Sequence, residues 1–335
     1  MKRRDLLLGL TSLGLPIVAS SCAGDPNGSG QKLERIRIGF QTIANAELLA
    51  KALGLAKEAF PNVKVEYLNF DSGRDVSIAM AAKGIDFGLI GSVGVGVGIA
   101  RRLPYEVYFI HDLIGTAEAL AVRDSIKTVA DIRGKKIAVP FGSTTHFSLL
   151  SLLKLEGINS NEVTVLDLQP ADMVAAWQRG NIDGGYVWQP NLGKLQKFGG
   201  KILITSADLA QRGIVTADVG VVRKGFLAKY PQAVKQYVSV LDKAVKFYRQ
   251  NPQAAAKAIA PELGISPEET LSAMNQLIWL DATEQENPKY LGTANRPGEF
   301  AKVLRSSAEF MVSQQVIAST PDLQTYQKLV RSDFL

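Results

Sequence analysis

The sequence predicts an α/β protein of two lobes, each a mostly parallel sheet flanked by helices, with the second lobe inserted into the first. Three observations lead there. Strand-like and helix-like segments alternate from residue 33 onward, which is the pattern of βαβ units. That order occurs twice, with a short internal echo. Two short apolar segments, 119–123 and 219–223, each end in arginine and bracket the second set. They are expected to be two crossover strands that form a hinge and leave a cleft between the lobes.

Taken in order, residues 36–40 read as a short strand and 43–59 has helical apolar spacing. Residues 63–70 alternate with period two, as a half-buried strand does. Residues 75–83 read as a helix, with 87–90 and 105–110 as strands. The second set runs strand 136–139, helix 146–155, strand 163–168, helix 173–179 and strand 185–187. The echo pairs Gly84-Ile85-Asp86-Phe87 with Gly180-Asn181-Ile182-Asp183-Gly184, each after a helix and before a buried strand. Glycine closes a helix through the left-handed conformation and Asp satisfies the turn, so Asp86 and Asp183 are read as structural. Helices after Phe226, interrupted at Pro231, Pro252, Pro261 and Pro267, complete the first lobe. The expected boundaries are 33–118 and 222–335 for lobe one and 119–221 for lobe two.

The chain of 335 residues, 46% apolar and 21% charged, suffices for two domains and argues against disorder. Its net charge of +6 is spread along the sequence, which gives nucleic-acid binding no support. One cysteine rules out an internal disulfide, a four-cysteine zinc site and an iron–sulfur cluster, and the two histidines are far apart. No cofactor or metal is expected.

Met1-Lys2-Arg3-Arg4-Asp5 is basic, residues 6–18 are apolar and Ala19-Ser20-Ser21 are small, the three-part order of an export signal. The apolar stretch, broken by Gly9, Gly14 and Pro16, is too short for a span of about 20 residues. The small residues run into Cys22 as in a bacterial lipobox, with Ala19 where leucine is usual. Arg3-Arg4 before Leu6-Leu7 also resembles a twin-arginine export signal. The expectation is a signal peptide over 1–21, a lipid on Cys22 and a flexible tether over 22–32, holding a folded body at the outer side of a membrane.

In open α/β sheets the crevice lies beyond the carboxyl ends of the strands. That rule selects Gln41-Thr42, Asp71-Ser72-Gly73 and Gly91-Ser92 in lobe one. In lobe two it selects Phe141 through His146, Gln169-Pro170 and Trp188. Gly91-Ser92 and Gly142-Ser143-Thr144-Thr145 each open a helix. Free N–H groups, partial positive charge and hydroxyls there suit a small oxyanion, although ordinary N-capping gives the same pattern. Glu118 and Asp218 each precede a crossover segment and are expected to face the cleft. Two acids there could hold an ammonium, with Trp188 adding a cation–π contact; a solvated loop residue or strand cap is the other reading of either acid.

Residues 138–150 (Ala-Val-Pro-Phe-Gly-Ser-Thr-Thr-His-Phe-Ser-Leu-Leu), Leu168-Gln169-Pro170 and residues 175–188 resemble the taurine branch of the nitrate/sulfonate/taurine family of periplasmic substrate-binding proteins of ABC importers. Weaker matches are Phe40-Gln41-Thr42, Phe70-Asp71-Ser72-Gly73, Ile90-Gly91-Ser92, Glu118-Ala119-Leu120 and Asp218-Val219, so the resemblance spans roughly residues 36–223. It implies a class II binding protein whose two lobes close on the ligand. On the matching positions, Gln41, Ser92, Ser143, Thr144 and Thr145 would hold a sulfonate with His146 nearby. Glu118 and Asp218 would meet an amine, and Trp188 would pack on the ethylene between them. It further implies a monomer that serves a membrane permease and its ATPase. Two departures are Gln189 in Trp188-Gln189-Pro190, where alanine is usual, and Gly220, where a tryptophan is usual; the second would widen the pocket for a longer aminosulfonate.

The same family also implies receptors for alkanesulfonates, nitrate or bicarbonate, and ligand closure would equally serve a sensor. Catalysis is not expected. Ser143 or Thr145 beside His146 suggests a nucleophile, but adjacent helix residues point apart and there is no Gly-x-Ser-x-Gly elbow.

Overall fold

The computed structural model describes residues 32–335. The expected signal peptide, the lipid site Cys22 and the tether up to residue 31 lie outside the described residues. The chain begins with β1 (Arg35–Phe40), α1 (Ala46–Ala52), α2 (Leu55–Ala59), β2 (Lys64–Asn69) and α3 (Gly73–Ala81). It continues through β3 (Phe87–Gly91), α4 (Ser92–Ala100) and β4 (Tyr105–Ile114). Then come β5 (Glu118–Val122), β6 (Lys136–Val139), α5 (Thr144–Leu155), β7 (Thr164–Asp167) and α6 (Pro170–Gln178). These are followed by β8 (Gly184–Trp188), α7 (Asn191–Lys197), β9 (Lys201–Thr205), α8 (Ser206–Gln211) and β10 (Ala217–Arg223). The remainder is α9 (Lys224–Lys229), α10 (Pro231–Gln250), α11 (Pro252–Leu263), α12 (Pro267–Asn275), β11 (Leu277–Ile278), α13 (Ala282–Gln285), the hairpin β12 (Gly292–Thr293) and β13 (Arg296–Pro297), α14 (Phe300–Ser313) and α15 (Leu323–Leu329). The single helix expected over 43–59 is two, because Gly54 between α1 and α2 sits at φ 69° and turns the chain.

The strands form two sheets, ordered β11-β4-β10-β3-β1-β2 and β7-β6-β8-β5-β9. In the first, β1, β2 and β3 are parallel, while β10 runs against both β3 and β4. In the second, β6, β7 and β8 are parallel, while β5 runs against both β8 and β9. Most strands in each sheet therefore point one way around one reversed strand, with short β11 also reversed at the first sheet's edge.

The two arginine-ended segments are these reversed strands, not crossovers. Glu118–Val122 lies wholly in the second sheet and Ala217–Arg223 wholly in the first. The links between sheets are 115–117 and 212–216, so residues 217–221 belong with the first sheet, against the expected boundary at 221. An apolar strand sequence demands hydrogen-bonded neighbours but does not say which; each of these finds partners on both edges.

The internal echo is a repeated hydrogen-bond pattern. Arg123 N–H donates to Asp183 O and Arg223 N–H to Asp86 O, both at 2.9 Å. Their Nε groups donate to Ile182 O and Ile85 O. Asp86 accepts from Arg37 N–H and Asp183 from Lys136 N–H. Strands β10, β3 and β1 thus stand to one another as β5, β8 and β6 do. Glu118 and Asp218, each five residues before its arginine, are equivalent positions in the two sheets.

Helix α10 shows how the chain after β10 completes the first lobe. Its buried residues Val234, Tyr237, Val238, Leu241 and Val245 recur at helical spacing, Pro231 opens it, and Tyr237 meets Phe87 and Tyr108 of the sheet. Each large side chain buried this way contributes about 1.5–3 kcal/mol. No helix among the described residues is long and apolar enough to cross a membrane.

Candidate ligand-binding site

The carboxyl ends of β1, β3, β6 and β8, with the first residues of β5 and β10, border one pocket between the sheets. It encloses about 640 Å³ of empty space, its opening included. Of the expected residues, Gln41, Glu118, Phe141, Ser143, Thr144, Trp188 and Asp218 line it; Ser92, Thr145 and His146 do not.

One wall is made of helix N-termini. Ser72-Gly73-Arg74 open α3, Gly91 precedes α4, and Gly142-Ser143-Thr144 lead into α5, all lining the pocket. Neither α3 nor α4 has a side-chain cap, so their first N–H groups remain available to a ligand. Helix α5 is capped by Ser143, whose Oγ accepts from His146 N–H and donates to Pro140 O. Ser143 therefore does capping work, and the N–H groups of Thr144 and Thr145 are the open donors of α5.

The three residues outside the lining hold this wall in shape. Ser92 Oγ accepts the Ala217 N–H, tying α4 to β10. Thr145 Oγ1 lies 2.8 Å from Ser143 Oγ. His146 Nδ1 accepts from Gly142 N–H at 3.2 Å, and its ring stacks on Phe141 at 4.6 Å. Burial lowers the His146 imidazole to about 4, which keeps it neutral and able to accept that bond. Gly142 sits at φ +80°, the left-handed conformation this turn requires.

Two acids complete the polar lining, beside the helix ends: Thr144 at the start of α5 is bonded to Glu118, and Gly91 before α4 pairs with Asp218. Glu118 and Asp218 are buried, and among the described residues neither forms an ion pair with lysine or arginine. Glu118 accepts hydrogen bonds from Thr144 Oγ1 and Ser206 Oγ, both in the second lobe. Burial raises Glu118 to about 8, further pushed by the charge of Asp218, and burial raises Asp218 to about 7. Asp112, behind Asp218 on β4, is raised well above the usual carboxylate range by burial and by Asp218. These acids are not arranged to hold a metal ion: among the described residues no group of three or more His, Cys, Asp or Glu is.

Sequence reasoning missed several wall residues. Ile43, Ala44, Ile114, Ala117, Ala273 and Leu277 make the sides apolar, the last two from the C-terminal third. Gln189, noted only as a departure, lines the pocket and bridges to Gln276 Oε1. Arg74 also lines it and is the basic residue there. It directly follows Ser72-Gly73, which the strand-end rule had selected. Its Nη1 meets Asp167 of the other lobe at 2.7 Å. Gln169 to Asp75 and Lys197 to Glu269 also join the lobes, so the cleft is closed. Gly220 does not widen the pocket. It is absent from the lining, and a Cβ there would lie 2.8 Å from the Tyr108 ring, so that tyrosine occupies the room.

The raised acids make a stability prediction. Between pH 6.5 and 8.5 the folded state holds protons on Glu118, Asp218 and the buried Glu47 (raised to about 7) that the unfolded chain has released. Stability of the ligand-free protein is then expected to fall as pH rises across that window, on the order of 1–2 kcal/mol per group. Below it, buried neutral His111 and His146 pull the other way, since the unfolded chain gains their protons. Thermal melting across the window checks this; a Tm that rises from pH 6.5 to 8.5 refutes it.

Known proteins similar to this chain point to one family. The family model described as the substrate binding domain of an ABC-type glycine betaine transport system matches residues 34–285. The taurine-binding periplasmic protein of Escherichia coli (strain K12) is 34% identical over 307 residues, covering 90% of this chain and 92% of that protein. The alkanesulfonate-binding protein SsuA from Xanthomonas axonopodis pv. citri, solved bound to MOPS, superposes with a TM-score of 0.72 at 22% identity, covering 88% of this chain and 96% of its own. The periplasmic aliphatic sulphonate binding protein SsuA from Escherichia coli gives 0.70 at 22% identity, covering 88% and 92%. These relatives are substrate-binding proteins rather than enzymes. The chain belongs to the family of periplasmic substrate-binding proteins of ABC importers that contains the taurine- and aliphatic-sulfonate-binding proteins.

Proposed function

We propose that this protein captures taurine, or an aminosulfonate of similar length, and delivers it to the permease and ATPase of an ABC importer. The observation that carries this reading is the pocket's lining: two buried carboxylates, neither ion-paired to lysine or arginine among the described residues, share it with three helix N-termini. A helix end favours an anion by about 0.3–1 kcal/mol, more when partly buried, and three converge here. A sulfonate fits these ends as a monoanion taking hydrogen bonds from the first N–H groups of α3, α4 and α5. Glu118 and Asp218 need N–H donors, which a primary ammonium supplies and a quaternary one does not. Trp188 and the apolar sides suit the short hydrocarbon between the two charges. The export signal and Cys22 fit a body tethered by lipid on the outer side of a membrane, acting as a monomer.

Calorimetry against taurine and ethanesulfonate tests the reading. Ethanesulfonate would leave the buried acids unpaired, so taurine is expected to bind at least about 100-fold more tightly. Equal affinities would remove the amine site and leave an alkanesulfonate receptor.

A further inference from the structure

The repeat between the sheets bears on Asp112, a residue the pocket does not expose. The register of β5 against β9 places Ala119 opposite Thr205; its next step places Ser206 opposite Glu118, and Ser206 Oγ donates to Glu118 Oε2 at 3.3 Å. In the first sheet the position equivalent to Glu118 is Asp218, and the residue opposite it is Asp112. Asp112 thus stands where the other lobe uses a neutral hydroxyl donor. A β-bulge reinforces the placement: between Asp112 and Ile110, strand β4 carries His111 as an extra residue against β10, and bulges of this kind re-aim side chains beside binding sites.

We infer that Asp112 is a positioning residue of the cation subsite that stays protonated and donates a hydrogen bond to Asp218, leaving Asp218 as the ionised acceptor for the ligand's ammonium. This rests on the aminosulfonate reading. The hydrogen bonds fit it. Asp112 Oδ2 accepts from Asn45 Nδ2 at 3.2 Å, whereas Oδ1 is buried and receives no hydrogen bond among the described residues, which leaves it as the oxygen to carry the proton. The surrounding charges fit as well. Asp218 on β10 and Glu118 on β5 both oppose a further negative charge. His111, 3.9 Å from the Glu47 that Tyr237 of α10 bonds, is kept neutral by burial, with neither ring nitrogen hydrogen-bonded, and offers no positive charge in compensation. Each ligand-facing acid is then held by neutral donors, Glu118 by Thr144 and Ser206, and Asp218 by Asp112. A monocationic ammonium meets two ionised carboxylates rather than three.

The test is calorimetry of taurine and ethanesulfonate with the full chain and its Asp112→Asn and Asp112→Ala variants. Asn keeps a neutral donor, so Asp112→Asn is expected to bind taurine within about threefold of wild type. Asp112→Ala is expected to bind taurine at least tenfold more weakly while holding ethanesulfonate within about threefold. The protons released on taurine binding, read in buffers of different ionisation enthalpy, should be the same for wild type and Asp112→Asn. This second measurement stands even where the Ala variant does not fold. An Asn variant as weak as Ala, or one releasing one proton fewer than wild type, would show that Asp112 acts as a charge and overturn the inference. Equal weakening of both ligands by Ala, or none of either, would overturn it by showing a structural or idle residue. A wild type that does not prefer taurine would instead remove the reading beneath it, and the wild-type titrations alone reveal that.

Discussion

Glu118→Gln is expected to weaken taurine binding by at least about 30-fold and to leave ethanesulfonate binding unchanged or slightly improved. Removing one partner of a buried, hydrogen-bonded charge pair costs about 2–5 kcal/mol. Glutamine keeps an oxygen to accept from Thr144 or Ser206, so the second lobe is expected to stay folded. For ethanesulfonate the same change removes a buried acid that would otherwise have no cationic partner. The pH profile provides a second signature. In wild type, taurine must displace protons once pH falls below about 8 for Glu118 and about 7 for Asp218, so affinity drops as pH is lowered through those values. In Glu118→Gln the step near pH 8 should vanish. Calorimetry at pH 6 to 9 decides; equal losses for the two ligands would place Glu118 outside the amine site.

Gly91→Val is expected to weaken every ligand alike, by about 10- to 100-fold, without unfolding the protein. Gly91 has φ −59° and ψ 144°, a conformation open to any L residue, so its own lobe tolerates a side chain. The obstacle lies in the other lobe, where a Cβ on Gly91 would sit 2.8 Å from Thr144 Cγ2. Overpacking of that kind costs about 1–3 kcal/mol, and here it opposes lobe closure rather than folding. A milder pair isolates the contact. Gly91→Ala alone should weaken binding, and adding Thr144→Ser should restore it, because serine removes the offending methyl and keeps the hydroxyl on Glu118. Titration and small-angle scattering with saturating ligand read the affinity and the closure. A double variant no better than the single one would sink the steric account.

Both expectations turn on residues whose importance was partly visible in the sequence. The sequence places Glu118 and Asp218 at the cleft as acids preceding crossover strands, and they do line it, but as the first residue of β5 and the second of β10, reversed strands inside each sheet. Ser143 and His146 were selected as ligand-facing. Ser143 lines the pocket while its hydroxyl caps α5, and His146 braces Phe141 from outside the lining. Asp112 went unremarked, although His111-Asp112 is a polar break in the otherwise apolar end of β4. Ala273 and Leu277 come from the C-terminal third, where no motif announces a wall of the pocket.

The sequence by itself determined the local grammar: alternating strands and helices, the repeated Gly-Ile-Asp turn, and the Gly-Ser-Thr-Thr opening of α5. Each depends on side chains a few residues apart, and hydrophobic period, glycine's left-handed freedom and capping hydroxyls act over that range. Only the tertiary structure decided which strands became neighbours, and with them which acids share a wall and which hydroxyls or carboxyls stand behind them. Strand pairing joins segments a hundred residues apart, as Asp112 and Asp218 are, through backbone groups that every residue carries alike. The periodicity of either strand therefore says nothing of its partner.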